Sequence, residues 1–343
     1  MTSSTLSLAI RPEGRSSLLG RVTGSPLVRL VVRRLLIAIP VLFVISVLVF
    51  ALLAAMPGDP ARSLAGMSAT EEQVTALREK MGLDRPPIER YFSWLFAVFR
   101  GDLGHSQVSG QSINSLLAER LPVTVELVVL VFVVSLLISV PVALRAARKP
   151  GGIFDRVVMV ISMPVLAIPN YVIALLLVLV FAVFLRMLPA LGYTPLQEGF
   201  VPNLLSVTMP VLALAIPHAC FYTRFLRGDL VQLMNSADYV ETARAKGAGP
   251  WRVLWRHAFR NSSFGLITLV GLNIGGLIGG TVIIEQIFAM PGLGMLLLEA
   301  ARSQDTAVVQ ICVFIFAAVA VLANLVVDLM YAVLDPRIRY GSR

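Results

Sequence analysis

Apolar residues gather in six runs of spanning length, about 33–56, 122–145, 153–185, 205–226, 262–288 and 306–334. A hydrocarbon layer ~30 Å thick needs ~20 apolar residues of α-helix to cross it, so each run is read as a spanning helix. The third run holds Pro164 and Pro169, and a bend or a tilt is expected there. The fourth holds Pro210 and Pro217, and breaks of that kind survive in lipid only where neighbours re-satisfy the freed carbonyls. The first run, Leu35 to Ala55, is too long for the apolar part of a signal peptide and is read as an uncleaved helix. The Ser- and Arg-rich residues 1–32 before it are expected to form a mobile cytoplasmic tail.

The segments between the runs set the orientation. Arg11, Arg15, Arg21, Arg29, Arg33, Arg34, Arg145, Arg148, Lys149, Arg156, Arg224, Arg227, Arg244, Lys246, Arg252, Arg256, Arg260, Arg337, Arg339 and Arg343 fall on one side, twenty basic residues against six acids. The other side has nine basic residues and eleven acids. Positively charged loops stay in the cytoplasm. Both termini (the tail 1–32 and the tail 335–343) and the loop 227–261 are therefore expected there, and 57–121 outside. The organisation that follows is a first helix over 33–56, an external segment over 57–121 and a five-helix core over 122–334.

The external segment has its own helical signals. Thr70 with Gln73 opens a pattern that Gly82 stops after Met81. Pro86-Pro87 starts a second helix, with Ile88, Tyr91, Trp94, Leu95 and Val98 at helical spacing. An aromatic amphipathic helix beside a membrane reads as interfacial packing or as a docking surface. A short helix from Ser112 to Arg120 is expected to close the segment.

Composition agrees with a chain that lies mostly in lipid. Of 343 residues, 57% are hydrophobic and 14% charged, against ~25% charged in soluble domains. The net charge of +9 sits in short segments between apolar runs, a topology signal and not a nucleic-acid surface. Cys220 and Cys312 lie singly in apolar runs, and His105, His218 and His257 have no ligand spacing. No metal, cofactor or disulfide is expected. No phosphate loop of the form G-x-x-x-x-G-K-S/T occurs, nor H-E-x-x-H, nor G-x-S-x-G. Gly104-His105-Ser106 has no evident carboxylate to orient it and reads as a polar turn.

Charged residues inside the runs are Glu126, Glu285 and Asp328. Acids in a membrane are costly and are functional candidates. Glu126 and Glu285 fall near external helix ends, where water is expected to reach them. Asp328 shares a face with Asn324 and Tyr331. A proton relay or gate contact stands against a packing cluster of hydrogen bonds between helices. The fifth run repeats Gly271, Gly275 and Gly279 at four-residue spacing, with Gly276 and Gly280 on the neighbouring face. Such glycines let helix backbones approach closely. Each also weakens a helix by ~1 kcal/mol in water, which points to close or changing contacts in a translocation pathway.

Between the fourth and fifth runs lies Glu241-Thr242-Ala243-Arg244-Ala245-Lys246-Gly247-Ala248-Gly249-Pro250-Trp251. Asp238 with Glu241 fits a capping-box start, and Gly247 fits the position just past a helix end. Pro250 suits the first turn of the next helix. A short exposed cytoplasmic helix is expected, whose small Thr242, Ala243 and Ala245 can enter a partner's groove.

This pattern, Glu241-Thr242-Ala243 with Gly247, resembles the EAA-x-x-x-G motif of binding-protein-dependent ABC importer permeases. Ala55-Met56-Pro57-Gly58-Asp59-Pro60, Met81-Gly82-Leu83-Asp84-Arg85-Pro86, Arg100-Gly101-Asp102-Leu103-Gly104, Pro291-Gly292-Leu293-Gly294 and Leu334-Asp335-Pro336-Arg337-Ile338-Arg339-Tyr340-Gly341 resemble the dipeptide/oligopeptide branch, including its nickel permeases. Thr242 replaces the motif's first alanine, and His257-Ala258-Phe259-Arg260 lacks its proline, as is common in that branch. The resemblance implies an all-α integral membrane protein of six transmembrane helices with the type I ABC importer permease fold. It implies a second homologous permease subunit, two cytoplasmic ATPase subunits that hydrolyse the ATP, an external solute-binding protein and a peptide substrate. It assigns the coupling contact to Asp238, Tyr239, Glu241, Thr242, Ala243, Ala245, Lys246 and Gly247. The residues alone leave two rivals, an ion-driven secondary peptide transporter and a non-transporting membrane anchor.

Overall fold

The computed structural model describes residues 26–55, 60–66 and 69–334. Most of the tail over 1–32, all of 335–343, and the stretches Ala55–Pro60 and Leu334–Gly341 lie largely outside the described residues. So do the side chains of Asp328 and Tyr331.

The first helix, α1, runs Pro26–Ala55, beginning inside the expected tail. The external segment holds α2 (Pro60–Ala65), α3 (Glu71–Lys80) and α4 (Pro87–Phe99). Thr70 and Gln73 form the expected capping box on α3. Gly82 follows it at φ +64°, a conformation that costs glycine little. No separate helix spans Ser112–Arg120. Those residues open α5, a single helix Ile113–Arg148 that carries Pro122 inside it. Proline there removes one hydrogen bond, which the long apolar helix on either side absorbs.

The third run is broken. The helix α6 (Ile153–Ala167) and the helix α7 (Asn170–Leu177), prolonged as a π-turn over Val178–Phe184, meet at 103°. Pro169 disfavours helix at the residue before it, and Ile168 is extended at φ −81°, ψ 126°. The fourth run behaves oppositely. The helix α8, Phe200–Ser236, passes through Pro210 and Pro217 as one helix, without the expected breaks. The loop expected over 227–261 is mostly helix. It holds the end of α8, the helix α9 (Asp238–Ala245) and the start of α10, which runs Pro250–Phe288 through a π-turn at Val253–Ala258. The helices α11 (Leu293–Arg302) and α12 (Thr306–Leu334) finish the described chain. Among the described residues five helices are long and apolar enough to cross a membrane, and six if the bent pair counts as one span.

The centre of the bundle is α8. Over half of its apolar window is buried, 56%, against 6% for α1. At one end Val207, Leu214, Leu127, Val131, Ile284 and Phe288 join α8 to α5 and α10. At the other, Tyr222, Leu226 and Leu230 meet Ala143, Leu144, Leu254 and Leu266. A third cluster joins Ile113 and Leu117 to Leu293, Leu296, Ile311 and Cys312. Lipid tails are as apolar as leucine, so these contacts stabilise by close packing and by hydrogen bonds. One such bond is bidentate. Arg227 Nε and Nη2 donate to the two Asp155 oxygens at 2.8 and 2.5 Å, fixing the start of α6 to α8.

Among the described glycines the tightest is Gly271, where a Cβ would lie 2.0 Å from Val327 Cγ2 of α12. Gly271→Ala is expected to cost roughly 1–3 kcal/mol by overpacking, and Val327→Ala in the same chain to recover most of it. Reversible denaturant unfolding in micelles reads both changes.

Candidate functional site

The helix α9 is held at both ends by local chemistry. Asp238 does not cap it. The N-cap is Ala237, which makes no side-chain bond, and Asp238 is the first helical residue. Its C-terminal end is closed as expected by Gly247 at φ +80°. Gly247 N donates to Arg244 O at 2.9 Å and Ala248 N to Ala243 O at 3.1 Å, the paired bonds of a Schellman cap. Asp238 and Glu241 lie in the first turn and Arg244 in the last, matching the helix dipole.

One face of α9 belongs to the chain's own core. Val240 and Ala243 are buried against Val253, Met234, Ala237 and Ala248. Ala243 therefore anchors α9 to the chain's own core. The outward face presents Asp238, Tyr239, Glu241, Thr242, Ala245, Lys246 and Gly247. Thr242 Oγ1 turns back to donate to Asp238 O at 2.9 Å, which spares that small face an unpaired hydroxyl. Asn261 Nδ2 donates to Tyr239 Oη at 3.2 Å, tying α9 to α10. Sequence reasoning missed two neighbours. Trp251 and Trp255 are each 50% exposed at the start of α10, with Trp255 stacked on Phe259 at 4.9 Å. Two tryptophans four apart beside a charged segment were the available signal.

The five glycines of α10 do not divide as expected. Gly271 and Gly275 face α12, with Val327 and Ala320 as nearest neighbours. A Cβ added at Gly276 or Gly279 would meet nothing within 4 Å, and both lie on an open face with Leu272 and Ile283. Gly280 faces Leu214 and Asn170. Four residues advance an α-helix by about 40° beyond a full turn, so a third glycine at that spacing rotates off the contact.

Glu285 is buried completely and is out of reach of water, against the sequence expectation. Thr124 Oγ1 donates to Glu285 Oε1 at 2.7 Å, and Met295 N donates to Oε2 at 3.0 Å. The same Thr124 oxygen accepts from Leu293 N at 2.8 Å. The carboxyl thus sits under the first turn of α11, where peptide dipoles favour negative charge. Only glycine leaves it room. A Cβ at Gly292 would fall 2.4 Å from Glu285 Cδ, and one at Gly294 2.6 Å from Val282 Cα. This gives the Pro291-Gly292-Leu293-Gly294 stretch a physical reason.

Glu126 is half-buried in a separate cluster. Tyr193 Oη donates to its Oε2 at 2.5 Å and Asn203 Nδ2 to its Oε1 at 2.8 Å. Burial and the Glu126 carboxylate raise the Tyr193 phenol above its usual value, so the phenol keeps its proton and donates. Asn324 is exposed on α12, in a groove with Ile37 and Val41 of α1. Glu126 and Glu285 hold different partners and form no shared relay. Ser106 also has a carboxylate partner that sequence reading missed. Its hydroxyl donates to Asp305 Oδ2 at 2.5 Å, which pins the loop after α4 to the start of α12.

A sequence profile described as the binding-protein-dependent transport system inner membrane component matches residues 139–340. A second, for the N-terminal region of such membrane components, matches residues 27–128. The chain is 36% identical over 310 residues to the probable peptide ABC transporter permease protein y4tP of Sinorhizobium fredii, covering 90% of this chain and 99% of that one. It is 36% identical over 313 residues to the oligopeptide transport system permease protein AppB of Bacillus subtilis, covering 90% and 99%. Against the glutathione transport system permease protein GsiC of Escherichia coli it is 35% identical over 310 residues, covering 90% and 98%.

The Glu285 clamp makes a measurable demand. Thr124→Val leaves two buried groups short of a partner, at roughly 1–3 kcal/mol each, whereas Thr124→Ser keeps both bonds. Unfolding in micelles is expected to separate the two variants, and a cysteine at Leu296 to become reactive to thiol reagents only in the valine form.

Proposed function

The chain belongs to the family of binding-protein-dependent transport system inner membrane components, and from that premise we propose that it is the permease half of an ATP-driven peptide importer, coupled to its ATPases through α9. Its membrane helices are the multi-pass scaffold of that role. The charge asymmetry of the loops supports cytoplasmic termini and a cytoplasmic α9. The peptide substrate rests on what the relatives carry in their names.

One observation carries the reading. The outward face of α9 is free, its inward face is locked by Val240 and Ala243, and it stands between two helices that continue into the membrane. A push on α9 from an ATPase is delivered to α8 and α10 together. That is the rigid-element transmission by which a local change becomes a global one. The second permease subunit faces this chain across the pathway, two ATPases grip the two α9 helices, and an external binding protein delivers the peptide. Gly276 and Gly279 on the open face of α10 line the pathway. An ion-driven transporter would instead use a chain of membrane acids, and Glu126 and Glu285 are each engaged in separate clusters.

Two measurements test this. In the reconstituted transporter, Glu241→Lys and Gly247→Val are expected to lower ATP-dependent peptide uptake at least about tenfold, equal to ~1.4 kcal/mol, with membrane insertion unchanged. Uptake at the parent rate by both variants removes α9 from the mechanism. Cysteines at Gly276 and Gly279 are expected to react with membrane-impermeant reagents during turnover, and one at the buried Leu277 not to. If neither glycine position reacts in any state, α10 does not line the pathway.

A further inference from the structure

The two faces of α4 have different surroundings. Tyr91 is buried against α1, its Oη 2.8 Å from Ser46 Oγ and its ring edge-on to Phe43 at 6.2 Å and Phe50 at 5.4 Å. Trp94 stands edge-on to Phe314 of α12 at 5.9 Å. The inward face thus bridges α1 and α12. Ile88, which the periodicity grouped with that face, turns outward and is 73% exposed. With Phe92, Phe96 and Phe99 it makes a second apolar stripe at helical spacing, exposed by 45%, 61% and 80%. A helix standing clear of the membrane has no use for an aromatic outer face.

The two spans that α4 touches fix its height. At ~1.5 Å rise per residue, Ser46 lies ~13 Å inside the Ala55 end of α1. Counted from the other end, Ser46 is ~18 Å beyond Arg34, which leaves ~12 Å of a ~30 Å hydrocarbon layer. On α12, Phe314 lies ~12 Å inside Thr306 by the same rise. Three counts agree. Even a span tilted by ~40°, the upper limit usually seen, keeps the contacts of Tyr91 and Trp94 ~9 Å below the boundary. Near that height α1 itself exposes Leu48 at 55% and, closer to the boundary, Leu52 at 69%, an apolar surface that suits lipid. The charges within α4, Glu89 and Arg90, lie in its first turn, with Arg85 paired to Glu89 just before the helix, Arg90 over the Phe50 ring of α1 at 5.9 Å and Arg100 just after Phe99, and their long side chains can reach back toward the headgroups.

We propose that α4 is a strap sunk in the acyl chains of one leaflet, holding α1 to α12 by Tyr91 and Trp94 and presenting Phe92 and Phe96 to lipid. The leaflet is the external one on the orientation given above, and the depth is the same for either orientation. The occupant of the stripe is acyl chain and not the solute-binding protein or another subunit.

Photo-cross-linking in the assembled transporter in its own membrane tests the assignment. Phe92 and Phe96 are replaced one at a time by the photoreactive benzoyl-phenylalanine, with Leu48 of α1 as the lipid-facing control and Lys80 of α3 as the aqueous one. The expected product at both α4 positions is a phospholipid-sized mass adduct, as at Leu48, and none at Lys80. A protein-sized adduct at either position, or no adduct at both while Leu48 reacts, overturns the proposal. The readout needs no transport, so it stands apart from the importer reading.

Discussion

A carboxyl group that no water reaches must be given its hydrogen bonds by protein. Glu285 meets that demand with Thr124 from α5 and the first-turn amide of Met295 from α11. The remote helix α5 is thereby fixed to the consecutive helices α10 and α11 at one point. The left-handed turn at Ala289, φ 51°, and the glycines after it follow from the need to fold α11 back over the carboxyl. The adjoining core of Ile113, Leu117, Leu293 and Leu296 then packs in the only register the clamp allows. Apolar packing in a bilayer has little directional content, and the polar contacts supply it.

The periodic part of the fold was legible. Long apolar runs, the Thr70–Gln73 capping box, the Gly82 and Gly247 stops and the start of α10 at Pro250 follow from local rules that lipid does not change. The misses share a cause. Proline was expected to break α8, and Ser112 to Arg120 to form a short helix of its own before the second span. In long apolar helices one lost bond is a small part of the total, and both helices continue. Among the described prolines of the expected runs, only the Ile168–Pro169 step ended a helix. The site was half legible. The charged surface of α9 could be read from the sequence, but the inward turn of Ala243 could not, because it depends on Val253 from the next helix. Glu285 looked like a terminal acid because its partner Thr124 is remote in the chain.

The same logic separates the three acids that hold the bundle together. Glu285 fastens α11, Glu126 receives Tyr193 from the connection before α8 and Asn203 from α8 itself, and Asp155 receives Arg227 at the opposite end of the bundle. Each joins segments that apolar contact would leave free to slide. A membrane bundle that must move while keeping its identity needs such fixed points.

The joints around α9 are short. A single residue, Ala237, is both the end of α8 and the start of α9, and only Lys246 to Gly249 separate α9 from α10. Connections of this kind have almost no slack. Motion fed into α9 is not taken up by a loop before the membrane helices begin to respond. The arrangement behaves as a gear train with little backlash, in which a displacement of α9 is passed on by position and not by how far a tether can stretch.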